Sequence, residues 1–266
     1  MTTLLCTVRG CATPLSRHER QLICERGHAF DISRSGYINL LQPQDRRSRT
    51  PGDTPEAVLA RRRFLDRGHT APLVNAIAAM LPPVPSILDA GCGEGHQLAA
   101  FQADEKHGVD ISVAAIDLAA KRWRDCTWIV ANADRFLPYA DASLDAVTSI
   151  TARLNAPEFH RVLREDGTLL IALPAPDDVI ELREAILGDR VERDRVQRTI
   201  EMFATHFTLK KHERIRHVAH LDHDAIVEVM TSSYRGLRTK EKERLSGVRE
   251  MDVTLSRDVL TLSRRT

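Results

Sequence analysis

The chain has 266 residues and a formal net charge of +1, with 42% hydrophobic and only 5% aromatic residues. This length can hold one domain of roughly 200 residues with a small addition. No apolar run approaches the ~20 residues that a membrane span needs, and the N-terminus lacks the apolar segment of a signal peptide. The composition therefore predicts a soluble, cytoplasmic protein with no membrane partner.

The charge is distributed unevenly along the chain. Residues 1–70 carry 12 Lys and Arg against seven Asp and Glu, a net +5, whereas residues 71–175 carry eight against 13, a net −5. A basic N-terminal region joined to an acidic domain favours an anionic macromolecule as substrate over a small neutral molecule. The alternative is an arginine-rich surface that contacts only solvent.

Three of the five cysteines fall within the first 24 residues, in the pattern Cys6-x4-Cys11-x12-Cys24-x3-His28. Two ligand pairs separated by about a dozen residues fit a tetrahedral Cys3His zinc site. Because four protein ligands leave no open position, we expect a structural Zn²⁺ at Cys6, Cys11, Cys24 and His28. His18 is a competing ligand, and ordinary buried cysteines beside a surface histidine are the alternative.

Residues 29–70 combine short strands, a basic loop and a helix. Segments 30–32 and 36–41 have the composition of short strands that could pair. A basic, turn-rich loop follows over 46–53, and a helix is expected over about 54–67. The arginines of this region are Arg46, Arg47, Arg49, Arg61, Arg62 and Arg63. Consecutive arginines fan around a helix, so we expect some to face solvent or a phosphate and one to pair inward.

An apolar run that ends in Asp-x-Gly-x-Gly-x-Gly predicts a buried strand that turns at once into a helix. Glycines in such a turn adopt positive φ without strain and leave room for a ligand against bare backbone. The candidate cofactor residues of the turn are Asp89, Gly91, Gly93 and Glu94. Asp110 ends the next apolar strand, where a carboxylate would meet the ribose hydroxyls of an adenosine ligand. An NAD-binding turn is the alternative.

The remaining elements alternate between strands and helices, which predicts a parallel sheet. Strands are expected over 127–130, 143–150, 168–174 and 207–218, with a final hairpin of 251–255 and 258–262. Helices are expected from Ser112, as the capping residue, to about Arg122, and around 178–205 and 222–232. The run 190–195 alternates in charge sign, which is typical of a solvated helix face.

The order of motifs along residues 6–110 resembles one protein family. The motifs are the Cys3His knuckle, GYINLL at 36–41, RSRxPGD at 47–53, ARRxFLDxGH at 60–69 and LDAGCGEG at 88–95. This order resembles the bacterial 23S ribosomal RNA (guanine-N1)-methyltransferases, zinc-knuckle class I enzymes that include macrolide-resistance members. The likeness is strong over residues 6–110 and fades after about 150.

The resemblance implies a fold, a domain organisation and further cofactor residues. The expected fold is an α/β, Rossmann-like class I methyltransferase with a seven-stranded, mostly parallel sheet and a small N-terminal zinc-binding domain. The expected domains are a zinc-binding knuckle at 1–40, a basic linker and helix at 41–70, and the methyltransferase domain at 71–266. The resemblance also implies that S-adenosylmethionine is the cofactor. It adds Asp134 at the adenine, and Thr70 and Asp178 where family members often carry Tyr and His.

The implied activity is methylation of a guanine N1 in a hairpin of large-subunit ribosomal RNA. A small-molecule methyltransferase and a non-catalytic, cofactor-binding RNA-associated factor are the alternatives. The catalytic base is left unassigned; Arg153 could face guanine O6, and Asp134 or His160 could accept the proton. The oligomeric state is open, with a homodimer as one alternative, as is the choice between a housekeeping and an antibiotic-resistance role.

Overall fold

The protein is described here by a computed structural model that covers residues 2–46, 51–234 and 237–265. A small antiparallel sheet near the N-terminus contains β1 (Leu15–His18), β2 (Gln21–Cys24) and β3 (Ala29–Asp31). In the described ranges, no helix is long and apolar enough to cross a membrane.

The main sheet has eight strands. They are β4 (Ile38–Asn39), β5 (Val84–Ala90), β6 (Ala103–Asp110), β7 (Thr127–Val130), β8 (Leu144–Ile150), β9 (Leu163–Pro174), β10 (Phe207–Asp222) and β11 (Glu250–Arg264). Their order is β10-β11-β9-β8-β5-β6-β7-β4. Strands β4 to β9 pair in parallel, and β11 pairs antiparallel with both β9 and β10. The chain reverses direction across the sheet at β5, so ligands are expected at the carboxyl ends of β5 and its neighbours.

Besides a 3₁₀ turn at Pro43–Asp45, nine α-helices connect the strands in the described ranges. They are α1 (Pro55–Asp66), α2 (Ala71–Ala79), α3 (His96–Ala100), α4 (Val113–Arg122), α5 (Ala156–Val162), α6 (Ile180–Leu182) with a π-helical extension over Arg183–Leu187, α7 (Val196–Phe203), α8 (His223–Ser233) and α9 (Thr239–Gly247). The side chains of Thr54 and Ser112 accept hydrogen bonds from the first turns of α1 and α4. Both predicted helix starts are therefore confirmed.

The sheet has one strand more than the seven predicted. Ile38 and Asn39 pair in parallel with Ile129 and Val130, so the short β4 extends the edge of the sheet beyond β7. Segment 36–41 therefore lies mainly in the large sheet, and only an isolated bridge joins Ile32 to Ile38. The N-terminal region is thereby tied by backbone hydrogen bonds to the larger domain.

The predicted final hairpin is wrong, because residues 250–264 form one continuous strand. The polar residues between its two apolar halves remain in register with β10. Asp258 is only 1% exposed, and it accepts hydrogen bonds from Arg214 and His212 of β10. These ion pairs between neighbouring strands keep the segment extended, although its polar residues indicated a turn.

The predicted helix face at 190–195 is also wrong, because α7 begins only at Val196. The Asp189 carboxylate accepts a hydrogen bond from the backbone N–H of Val191, and Asp194 accepts one from Val196. Such short-range bonds from Asp side chains satisfy backbone donors without a helix. The segment therefore lies as an irregular connection before α7.

The N-terminal sheet shares a hydrophobic core with one face of the main sheet. Buried Leu15 and Phe30 of the small sheet belong to the same cluster as Val109, Ile129 and Tyr139. A second cluster covers the opposite face and a third lies beneath α8. On that side Glu228 of α8 forms ion pairs with two arginines at the end of α1.

Candidate functional site

Four potential metal ligands converge at one end of the small sheet. The ligand atoms of Cys6, Cys11, Cys24 and His28 all lie within 4.8 Å of one another. His28 Nδ1 is 3.4 Å from Sγ of both Cys6 and Cys24, and the Cys11 and Cys24 sulfurs are 3.9 Å apart. His18 lies at the end of β1, outside this cluster.

The cluster has the dimensions of a tetrahedral zinc site. Bonds of about 2.0–2.3 Å from Zn²⁺ to nitrogen and sulfur place adjacent ligand atoms about 3.5–3.8 Å apart. The separations of 3.4 Å and 3.9 Å at the cluster bracket these values. Gly10 and Gly27 have φ of +72° and +80°, which allows both ligand loops to turn tightly. The residues present therefore fit a closed Cys3His zinc site.

A cavity of about 1090 Å³ opens at the carboxyl ends of the central parallel strands. All eight residues that the sequence proposed for the cofactor line it: Thr70, Asp89, Gly91, Gly93, Glu94, Asp110, Asp134 and Asp178. They come from five separate segments of the chain, so only the fold brings them together. This shared cavity is the main structural support for a single ligand site.

The turn after β5 requires glycine. Gly91 has φ of +85°, and a Cβ at this position would lie 2.4 Å from Cβ of Ala152 in the loop after β8. Gly93 has φ of +55°, and a Cβ there would lie 3.2 Å from Nη2 of Arg61. The absence of these side chains allows the loop after β8 and helix α1 to approach the turn closely.

Two carboxylates fix the turn from the strand ends. Asp89 is buried and accepts a hydrogen bond of 2.8 Å from the Thr148 hydroxyl, and burial raises its pKa to about 7. Asp110 accepts backbone hydrogen bonds from Gly93 at 3.0 Å and from Ser112 at 2.7 Å. Burial likewise raises the pKa of Asp110 above its usual range. Asp110 thus holds the glycine turn as well as facing the cavity.

Glu94 is held by the linker helix. Its buried carboxylate lies 2.9 Å from Nε of Arg61, and Arg61 Nη1 lies 2.6 Å from Asp53. Arg61 is therefore the inward-pointing member of the arginine run, as predicted. Its two neighbours are also paired, Arg62 with Asp66 and Arg63 with Glu228.

The adenine end of the proposed site is formed by the loop after β7. The backbone N–H of Asp134 donates to the Asn132 side chain at 3.0 Å, and Asp134 lies 3.5 Å from Arg153. His160, one of the two candidate bases, lies outside the cavity lining, with Nε2 3.0 Å from the Arg265 carbonyl.

Three buried polar atoms in the cavity wall have no hydrogen-bond partner among the described residues. They are the hydroxyl of Thr70, Nδ1 of His96 and Nε of Arg183. Buried polar groups are normally satisfied, so these atoms fit a cavity that receives a polar ligand. Sequence reasoning did not select His96, although its position directly after the glycine turn could have pointed to it.

The other half of the cavity contains a buried cation. Arg183 is 9% exposed, donates to the Val191 and Pro176 carbonyls, and forms no ion pair with any carboxylate in the described ranges. Its Nε–H has no partner there either. Asp178, by contrast, lies 2.5 Å from Arg257 and accepts a bond from the Ser256 amide.

The backbone is strained at two cavity-lining residues. Thr151 follows β8 with φ of +53°, and Val179 precedes α6 with φ of +48°. Positive φ is rare for β-branched residues and costs of order 1–3 kcal/mol. Such strain accumulates at functional sites, and both residues lie where the parallel strands end.

The predicted basic surface is only partly described. Arg46 is exposed, whereas Arg47 and Arg49 lie outside the described residues. The helical arginines 61 to 63 all have carboxylate partners. In the described part of the linker, most of the positive charges are therefore paired with nearby carboxylates.

Comparison with known proteins agrees with this architecture. Residues 5–49 match a zinc-ribbon family model described as the N-terminal region of RlmA, and residues 87–170 match a model described as a methyltransferase domain. A putative methyltransferase structure from Bacillus halodurans has a TM-score of 0.51 at 18% identity and covers 73% of this chain and 98% of its own. The YcgJ protein of Bacillus subtilis gives 0.50 at 16% identity, covering 72% and 96%. These structures support the predicted methyltransferase fold.

Closer relatives extend over most of the chain. A Streptomyces fradiae 23S rRNA (guanine(748)-N(1))-methyltransferase is 36% identical over 230 residues, which cover 83% of this chain and 81% of the relative. The Bacillus subtilis YxjB protein, named a putative 23S rRNA (guanine-N(1)-)-methyltransferase, is 35% identical and covers 91% and 90%. The methyltransferase domain and the zinc ribbon with its Cys3His cluster confirm the two predicted cofactors, S-adenosylmethionine and structural Zn²⁺. The chain belongs to the family of 23S ribosomal RNA (guanine-N1)-methyltransferases.

Proposed function

We propose that this protein transfers a methyl group from S-adenosylmethionine to N1 of a guanine in a hairpin of 23S ribosomal RNA. The observation that carries the proposal is the single cavity that joins the glycine turn to the buried cation Arg183. Family membership supports the choice of guanine N1. The expected place of action is the cytoplasm, and the oligomeric state stays open.

The cofactor occupies the half of the cavity beside the glycine turn. Gly91 and Gly93 provide the bare backbone, Asp110 accepts from the ribose hydroxyls, and Asp134 lies at the adenine. Thr70 Oγ1 adds a hydrogen-bonding group, and the roles of Asp89, Glu94 and Asp178 are to shape the site through their bonds to Thr148, Arg61 and Arg257. S-adenosylmethionine supplies the electrophilic methyl group when bound.

The guanine occupies the half beside Arg183. A base must leave its stack to reach a methyl donor at the bottom of a cavity. Guanine N1 carries a proton at neutral pH, and its loss places negative charge on O6. A guanidinium beside O6 stabilises that charge, and arginine recognises O6 together with N7. Arg183 is buried and has no carboxylate partner among the described residues, which suits it to this role, while the group that accepts the proton is not assigned.

The zinc site holds the small sheet, with Cys6, Cys11, Cys24 and His28 as ligands. The proposed division of the chain remains a knuckle at 1–40, a basic linker and helix at 41–70 and a methyltransferase domain at 71–266. The exposed Arg46, with Arg47 and Arg49, would contact phosphates of the RNA hairpin and fix its position.

The reaction is tested by mapping the product. Purified protein, S-adenosylmethionine and unmodified 23S ribosomal RNA should give one added methyl group at a guanine N1, located by mass spectrometry of nuclease fragments. Activity should fall steeply with salt, because each neutralised phosphate releases a counterion. A methyl group at any other atom or base would refute the proposed reaction.

The zinc site is tested by Cys24→Ser. The variant should contain under half an equivalent of zinc and melt several degrees lower, since about 1 kcal/mol shifts the melting temperature of a domain of this size by roughly 2–4 °C. Cys126→Ser, outside the cluster, is the matched control and should retain full zinc. Unchanged zinc content and stability in Cys24→Ser would exclude this ligand set.

The cofactor site is tested by Gly93→Val. The added side chain crowds Arg61 and the ligand space, and overpacking of this kind should weaken cofactor binding about 10- to 100-fold by calorimetry. Gly36→Val likewise places valine at a positive φ, of +97°, but outside the cavity lining and with no atom within 4 Å of the new Cβ. This control should bind the cofactor normally. Equal affinity of the two variants would place the cofactor elsewhere.

The guanine site is tested by Arg183→Lys. The variant should lose about 100-fold in kcat, which is the cost of removing one hydrogen-bond donor from a developing oxyanion. Cofactor affinity should be unchanged, and the rate profile should shift to higher pH, because guanine N1 is harder to deprotonate without the guanidinium. Arg164→Lys, on the surface and outside the cavity lining, is the control. Wild-type kcat and pH profile in Arg183→Lys would remove this residue from the reaction.

A further inference from the structure

A buried carboxylate lies between the zinc-binding loop and the cofactor cavity. Asp45 follows Pro43 in a short 3₁₀ turn, its side chain is only 3% exposed, and it forms part of the cavity lining. Neither the cysteine pattern nor the methyltransferase motifs include this residue. Its partners come from both modules of the chain.

On one side, Asp45 contacts the loop between the first two metal ligands. Arg9, which lies between Cys6 and Cys11, places Nη2 3.3 Å from Asp45 Oδ1. Thr7 of the same loop donates its hydroxyl to the Leu40 carbonyl. The position of this loop is therefore set by the metal ligands at its two ends and by bonds to the segment that leads into Asp45.

On the other side, Asp45 contacts the loop that forms the adenine end of the site. Arg135 forms an ion pair with Asp45, in which Nε lies 2.7 Å from Oδ2 without the alignment of a hydrogen bond, and Arg135 Nη2 donates to the Thr7 carbonyl at 2.7 Å. The Asn132 side chain donates to the Asp45 carbonyl at 3.0 Å and accepts from the Asp134 amide at 3.0 Å. A continuous set of bonds thus runs from the zinc-binding loop to Asp134.

We infer that Asp45 is a positioning residue through which the zinc ribbon orders the adenine end of the cofactor cavity. A buried carboxylate paired with an arginine is costly to leave half-satisfied, so the pair strongly favours one arrangement of the 131–135 loop. The ribbon then supports cofactor binding as well as its own fold. This inference rests on the proposed cofactor site.

The test measures cofactor affinity and zinc content together, in the full-length, zinc-loaded protein. Asp45→Asn should retain one equivalent of zinc but bind S-adenosylmethionine about tenfold more weakly by calorimetry, since Arg135 loses its partner. Asp31→Asn is the matched control, because Asp31 lies in the same ribbon and bonds only to Gln21 at the surface among the described contacts. This control should leave both quantities unchanged.

Arg135→Gln removes the same pair from the other loop and should weaken binding by a similar factor. It keeps the test decisive if Asp45→Asn fails to fold. In the double variant the combined loss should be smaller than the product of the two single losses, because both changes remove the shared Asp45–Arg135 pair. Removal of zinc from the wild type by a chelator should also weaken cofactor binding.

Three results would overturn the inference: wild-type cofactor affinity in either single variant, loss of zinc in parallel with affinity, or multiplied losses in the double variant. Failure of the wild-type protein itself to bind the cofactor would instead refute the proposed function. The two failures are thus distinguished by the wild-type measurement.

Discussion

The close approach of backbone at the end of β5 is the constraint on which the rest of the site depends. A side chain at position 91 would clash with Ala152, so only glycine fits there. The carboxylate of Asp110 accepts a hydrogen bond from the backbone amide of Gly93. The turn therefore fixes the relative positions of three parallel strand ends. The cavity opens beside this turn, and helix α1 is attached to the same turn through Arg61 and Glu94.

Local patterns allowed much of the structure to be predicted from the sequence. The glycine turn, the helix caps at Thr54 and Ser112 and the metal-ligand spacing each depend on residues close together in the chain. The errors have a different physical origin. Strand β11 stays extended because Asp258 bonds to side chains of β10, a contact between residues more than 40 positions apart. The residues that sequence reasoning missed, Asp45, His96 and Arg183, have roles set by such distant contacts.

The net charge of a segment indicated ligand-binding residues less well than the ion pairs of its individual side chains. The arginine run of α1 suggested an exposed phosphate-binding surface, yet each of its arginines pairs with a carboxylate, two of them buried. The buried Arg183, in contrast, belongs to a segment of balanced charge and has no carboxylate partner among the described residues. A cation without a partner in a cavity is more informative about a ligand than a larger number of paired cations at the surface.

The pairing of β4 with β7 affects how the protein is made. During synthesis the cysteines and His28 leave the ribosome first, whereas the strand that receives Ile38 is translated much later. Until that strand is made, the apolar side chains of the N-terminal segment are not covered by the main sheet. Zinc can close the small sheet during this interval, because all four ligands are already present. Low zinc during translation would then lower the yield of folded protein more than zinc removed after folding is complete.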